Sequence, residues 1–114
     1  PADLVIADEA GPIALAGVIG GKHSAISDST TRIVLESANF HAATIRKTSS
    51  RLKVRTDASM RFEKAQDPEN TLRAIARAIE LFAQVAPAAR PVGGVADVRA
   101  PQKAPTVISL DLSW

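Results

Sequence analysis

At 114 residues the chain has room for one domain or for part of a larger one, and its 46% hydrophobic and 23% charged content excludes a disordered tail. The net charge of +2, with a pI near 9.4, allows a nucleic-acid partner without demanding one. The absence of cysteine excludes disulfides and thiolate metal sites, and no run approaches the ~20 apolar residues of a membrane span.

The N-terminus lacks a signal-peptide layout, so the cytoplasm is the expected location. A start at Pro-Ala-Asp, without methionine, is expected of a piece of a longer polypeptide.

In chain order, Leu4-Val5-Ile6-Ala7 reads as a buried strand, 8–12 as a turn, and Ile13-Ala14-Leu15-Ala16 as the returning strand of a hairpin. The hairpin runs into Gly17-Val18-Ile19-Gly20-Gly21. Three glycines in five residues require a sharp turn or the close approach of something else. The pattern is neither a dinucleotide fingerprint nor a P-loop, since no G-x-G-x-x-G follows a strand and no Gly-Lys-Ser/Thr closes it. His23 then falls in a polar loop among Ser24, Ser27, Asp28, Ser29, Thr30 and Thr31, where a histidine is ordinarily just solvated.

Ile33-Val34-Leu35 reads as a central, buried strand. Glu36 continues it. A carboxylate there either emerges into solvent at the end of the sheet or is desolvated and needs a donor. Residues 41–54 read as a helix with Ala42, Ile45, Ser49 and Leu52 on one face. Arg46, Lys47, Arg51 and Lys53 flank that face, and Arg55, Arg61 and Lys64 continue the basic run against only Asp57 and Glu63. Either a phosphate backbone lies on this run, with Arg46, Lys47 and Arg51 as the RNA-contact candidates, or it is a solvated face. Base stacking is not indicated: there is no Tyr, the three Phe are dispersed, and the single Trp is the last residue.

The stretch Arg55-Thr56-Asp57-Ala58-Ser59-Met60-Arg61-Phe62-Glu63-Lys64 reads as a turn leading into a short helix over 58–64, with Asp57 as N-cap and Met60 or Phe62 turned inward. Thr56, in extended backbone before the cap, presents a hydroxyl suited to a ligand contact. Asp67 is expected to cap a long helix over 68–86, with Pro68 at its first position and Pro87 ending it. Leu72, Ile75, Ala76, Ile79, Phe82, Ala83 and Ala86 make its apolar stripe, a packing surface rather than a site. Beyond it, prolines at 87, 91, 101 and 105 leave room only for short strands, at 92–98 and 106–110. Residues 1–100 thus read as one domain portion and 101–114 as a linker with the possible first strand of a next module.

The order and spacing of several motifs carry a resemblance. These are the 17–21 glycine stretch, Leu35-Glu36-Ser37-Ala38-Asn39-Phe40, Ile45-Arg46, the 55–64 stretch and Asp67-Pro68. Together they resemble the later part of the editing domain in the β subunit of bacterial-type phenylalanyl-tRNA synthetase, well over 3–86 and loosely beyond. The chain departs from that pattern at Ile19, where methionine is common, at Lys53, where glycine is usual, and at Ala65-Gln66, where Gly-Val often follows Phe-Glu-Lys.

The resemblance implies a proofreading hydrolase that removes tyrosine mischarged onto tRNA(Phe). Matched residue by residue, Glu36 falls on the acceptor of the phenol hydrogen and Gly17 on the glycine whose N–H donates to the same oxygen. Gly20 falls on a pocket-lining glycine, and Thr56 and Ala58 on the pocket wall. The attacking group is not assigned, and the family's earlier half supplies a histidine, an arginine and further polar residues to which His23 and His41 do not correspond. The segment itself implies no metal or organic cofactor. For the whole enzyme the resemblance implies ATP, magnesium, an α subunit and tRNA. Two further readings stay open: a structural or tRNA-docking module, and a free-standing amino-acid-binding domain, against which the length argues. The fold class is α/β, with a mixed sheet from 4–7, 13–16, 33–38 and 92–98, the long helix on one face and the two shorter helices, at 42–53 and 58–65, nearby.

Overall fold

The hairpin forms where the apolar runs and turn residues place it, but its first strand, expected to be buried, is largely exposed, with Leu4 and Val5 at 44% and 40%. In the computed structural model, which describes residues 3–101, 104 and 106–112, strand β1 (Val5–Asp8) pairs antiparallel with β2 (Gly11–Leu15). The turn between them is closed by Asp8, whose Oδ1 accepts from the N–H groups of Ala10 (2.8 Å) and Gly11 (3.0 Å). The register slips by one residue: Val5 faces Leu15 and Ile6 faces Ala14, but Ala7 faces Pro12. Ile13 is the extra residue of this bulge. Its carbonyl, turned out of the first ladder, accepts from Gly21 N–H (2.8 Å) and from the Ser24 hydroxyl (3.0 Å).

A turn closed by Val18 N–H on the Leu15 carbonyl (3.0 Å) leads into β3 (Ile19–Gly20), which pairs antiparallel with β2. The sheet is therefore a three-stranded meander in the order β1-β2-β3, followed by one 3₁₀ turn, Lys22–Ser24.

Three helices follow among the described residues: α1 (Ala42–Leu52), α2 (Asp57–Phe62) and α3 (Asn70–Val85). Helix α1 buries Ile45, Thr48 and Ser49 and ends in a Schellman motif. There the Lys53 N–H donates to the Ser50 carbonyl and the Val54 N–H to that of Ser49, with Lys53 left-handed at φ 55°. Ala65, after α2, is the other non-glycine residue at positive φ among the described residues, 54°. These are two of the positions at which the sequence departs from a usual glycine, and the backbone supplies the reason glycine is preferred there.

The N-cap of α2 is Thr56, not Asp57. Thr56 and Ser59 form a reciprocal capping box, and Asp57 is the first helical residue, where its charge complements the helix N-terminus. Helix α3 begins at Asn70, two residues later than expected, because Asp67 closes a preceding turn with its Oδ1 on the Glu69 N–H (3.0 Å).

The α/β class holds, with two corrections to its detail. The sheet is wholly antiparallel rather than mixed, and neither 33–38 nor 92–98 is a strand. Ile33, Val34 and Leu35 are 48%, 99% and 38% exposed, and among the described residues no strand pairs with them. An apolar run becomes a strand only when its N–H and C=O groups find a ladder. The described part of 106–110 is likewise irregular, and Trp114 lies outside the described residues. Helix α3 buries none of its residues: Leu72, Ile79 and Phe82 remain about two-fifths exposed.

The core sits where the 16–18 turn meets α1 and α2. Ala16, Val18 and Ile45 are its buried apolar residues, and the rings of Phe40 and Phe62 meet edge-to-face with centroids 5.0 Å apart. The radius of gyration, 17.8 Å, exceeds the roughly 13 Å of a compact domain of this length.

Candidate functional site

The turn after β2 is built around Gly17. Its φ of +65° is open to glycine and strained for other residues, and a Cβ there would stand 2.9 Å from Phe40 Cδ2, 3.1 Å from Ile45 Cδ1 and 3.3 Å from Phe62 Cδ2. Two independent constraints thus demand glycine. Gly21 is demanded by a third, since a Cβ would lie 2.4 Å from the Ile13 carbonyl oxygen. Gly20 differs: a Cβ there meets nothing within 4 Å, so this residue borders open space. Among the described residues no acceptor pairs with the Gly17 N–H.

One hydroxyl ties this turn to the helices, and two more hold the segment that carries it. Thr56 donates its hydroxyl proton to the Val18 carbonyl (2.6 Å) and accepts from the Ser59 N–H (3.1 Å). Ser59, with no exposed surface, donates to the Thr56 carbonyl (2.9 Å) and accepts from the Thr56 N–H (2.9 Å). Ser49, 4% exposed, donates to the Val54 carbonyl at 2.7 Å and lies 3.4 Å from Ser59 Oγ. Each hydroxyl has one proton, and each proton has a carbonyl. The cluster leaves no buried polar side-chain atom unsatisfied among the described residues.

The structure ties Thr56 to the glycine turn through the Val18 carbonyl, and Glu36 sits on the segment that reaches that turn at Phe40. Glu36 is exposed and borders a cleft of ≈ 170 Å³ lined also by Leu35, Ser37, Thr71, Leu72 and Ile75, with 95–97 across from them. The Ser37 hydroxyl donates to the Thr71 carbonyl at 2.7 Å and anchors this segment to the start of α3. Neither this cleft nor the larger one beside it is lined by Gly17, Gly20, Thr56 or Ala58. Ala58 lies exposed in the first turn of α2.

Of the basic candidates, Arg46 and Lys47 are exposed on α1. Arg51 is instead engaged by Asp3, which also accepts from the Thr48 hydroxyl (2.8 Å). The Arg51 hydrogen bond, and then that of Thr48, holds the Asp3 carboxyl below its ordinary range. Arg55 pairs with Glu63 at 3.1 Å. His23 is exposed in the 3₁₀ turn, and His41 Nδ1 lies 3.0 Å from Thr44 Oγ1. Among the described residues no group of three His, Cys, Asp or Glu is placed to hold a metal ion, and no helix is long and apolar enough to cross a membrane.

Sequence reasoning missed Ser49 and Ser59. The signal for Ser59 was present as Thr-x-x-Ser, the spacing of a capping box with serine in place of glutamate. Ser49 carried none, because a serine on a helix face reads as a small filler until its partner is known.

The model of the B3/4 domain matches residues 1–87, more than half of the chain. The chain belongs to the B3/4 domain family. This B3/4 segment is 67% identical over its whole length to the phenylalanine–tRNA ligase beta subunit of Solibacter usitatus, covering 15% of that protein. It is 45% identical to the corresponding subunit of Porphyromonas gingivalis over 95% of the chain and 13% of the relative. The subunit of Halalkalibacterium halodurans is 43% identical over 96% of the chain and 13% of the relative. The segment thus spans about one seventh of the relatives it matches, and the resemblance read from the glycine turn and the 55–64 stretch holds across the chain.

Proposed function

We propose that this segment contributes the part of an editing site that recognises tyrosine on mischarged tRNA(Phe), within a synthetase of which it is one portion. The observation that carries the reading is the Gly17 turn. It presents an N–H with no acceptor among the described residues, on a backbone fixed by its left-handed φ and by the Phe40, Ile45 and Phe62 side chains around it. Such an N–H is a donor for a phenol oxygen, and Glu36, solvent-exposed on its own segment, is the acceptor for the phenol hydrogen.

The division of labour follows from the energetics of discrimination. A pocket that only excludes an extra hydroxyl discriminates by roughly a hundredfold, whereas a site that hydrogen-bonds the hydroxyl rejects the analogue lacking it by ~10⁴ or more. Phenylalanine bound against Glu36 would cover the carboxylate without offering it a donor, a loss that tyrosine avoids. Glu36 is in this reading a specificity residue rather than a base. Hydrolysis itself draws on groups outside the segment, so the segment alone is expected to be inactive. ATP, magnesium and an α subunit belong to the whole enzyme in the same reading, which is cytoplasmic.

The test is made in the intact synthetase carrying this segment. Glu36→Ala is expected to abolish the preference for hydrolysing tyrosyl- over phenylalanyl-tRNA while leaving the fold intact. Unchanged preference overturns the reading. Ala58→Trp, at an exposed position of α2 where the fold tolerates bulk, is expected to block tyrosyl-tRNA hydrolysis sterically.

One observation favours a second reading, a tRNA-docking module: Arg46 and Lys47 are exposed on α1 and form no ion pair among the described residues. That reading requires RNA binding that weakens steeply with salt and is indifferent to Glu36.

A further inference from the structure

In the arrangement observed the Thr56 hydroxyl has no proton left to donate to a small ligand. Its proton is on the Val18 carbonyl at 2.6 Å, and its oxygen accepts from the Ser59 N–H at 3.1 Å. Its backbone is held in turn by the fully buried Ser59 hydroxyl, which bonds both the N–H and the carbonyl of Thr56 at 2.9 Å. The group held at the other end is informative. Val18 is 2% exposed, its N–H closes the turn on Leu15, and its carbonyl lies between the Gly17 N–H and the β3 pair that ends at Gly20.

Fixing the 18–19 peptide fixes the direction of the turn in which Gly17 sits. Of the bonds that set this turn, those through Ala16 N–H, Val18 N–H and Gly21 N–H come from the hairpin itself. The bond from Thr56, 38 residues away, joins the turn itself to the N-terminus of α2.

We propose that Thr56 is a positioning residue: its hydroxyl latches the Val18 carbonyl and so aims the glycine turn, rather than touching tyrosine itself. The effect on specificity rests on the editing-site reading above; the latch itself does not. Two roles meet in one hydroxyl, capping α2 by accepting and holding the turn by donating, and substitution separates them. Thr56→Ser keeps both. Thr56→Asp keeps the cap, since aspartate is as good an N-cap acceptor as threonine or better. It loses the latch, since an ionised carboxylate has no proton to donate and faces the Val18 carbonyl with like charge.

The experiment is amide hydrogen exchange by mass spectrometry on the intact synthetase, following peptides from the 15–21 turn and from α2 separately. Hydrolysis of tyrosyl- and phenylalanyl-tRNA is measured on the same samples. Thr56→Asp is expected to speed exchange in the turn about tenfold, as loss of one hydrogen bond implies, with α2 unchanged and tyrosine preference lost. Thr56→Ser is expected to match the parent in all three.

Unchanged exchange of the turn in Thr56→Asp overturns the latch, as does loss of α2 protection to the same extent, which marks a capping role alone. Glu36→Ala run beside it separates the two claims. If Glu36→Ala loses tyrosine preference and Thr56→Asp keeps it with a released turn, the positioning role is overturned. If Glu36→Ala keeps the preference, the editing-site reading falls and takes the specificity role with it, while the exchange data still decide the latch.

Discussion

The glycine turn with its three hydroxyls and the 33–38 segment with α3 carry the two kinds of apolar signal in this chain, yet they end in opposite states. Around the turn, Ala16, Val18, Ile45 and Ser59 are all at most 2% exposed and every buried polar side chain has a partner. Along 33–35 the apolar side chains remain between about two-fifths and fully exposed, and on α3 none is buried, with Ile75 and Ala78 half-buried and the others exposed. The first region closes because its parts complement one another locally: a turn that lacks a side chain, two rings and an isoleucine that fill the space, and hydroxyls matched one to one with carbonyls. The second consists of surfaces of one kind, an unpaired strand-like run and an apolar stripe, each of which needs something unlike itself. Hydrophobic content alone therefore does not decide burial; complementarity does.

Substitutions at glycine break this comparison most sharply. Gly17→Ala is expected to destabilise the chain by about 2–3 kcal/mol, combining left-handed strain with a Cβ 2.9 Å from Phe40. Gly20→Ala, three residues on with nothing within 4 Å, is expected to change it by less than about 0.5 kcal/mol. Denaturant unfolding of the two variants reads the contrast, and similar midpoints for both would remove the distinction.

Ser59→Ala comes next, with a loss of about 1–3 kcal/mol, since it strands the part-buried Thr56 N–H. Ser37→Ala is its counterpart in the open region, where water replaces the bond to Thr71, and a loss of no more than about 0.5–1 kcal/mol is expected. Equal losses at the two serines would show that the hydroxyl cluster has no special status.

Smaller and opposite in sign, Lys53→Gly and Ala65→Gly are each expected to stabilise the chain by roughly 1 kcal/mol, by relieving left-handed backbone at φ 55° and 54°. An unchanged or lowered melting temperature in both would contradict this.

The smallest effect is electrostatic. The native pKa of Asp3 lies below its unfolded value because Arg51 and Thr48 bond the ionised form. Its contribution to stability is therefore present above the ordinary carboxylate range and is lost as pH falls through the depressed native value. Asp3→Asn is expected to flatten the acid limb of stability slightly, measured by thermal unfolding between neutral and acidic pH. An acid limb steeper than that of the parent would reverse the sign.

What the sequence determined by itself was what short range determines. The hairpin, the turn residues, α1, the short helix after Thr56 and the long amphipathic helix were legible because capping, periodicity and φ preferences act within a few residues. The family was legible for a related reason: the glycine stretch, Leu35-Glu36 and the 55–64 segment keep their order and spacing, and the B3/4 match bears this out. The tertiary structure decided the rest. Only the fold shows that Thr56 spends its hydroxyl on Val18, that Ser59 and not Asp57 completes the cap, and that Arg51 is engaged by Asp3. These are pairings across 38, 3 and 48 residues, and all but the shortest leave no periodic trace. The strand expected at 33–38 failed for the complementary reason: a strand is a relation between two segments, and an apolar run specifies only one of them.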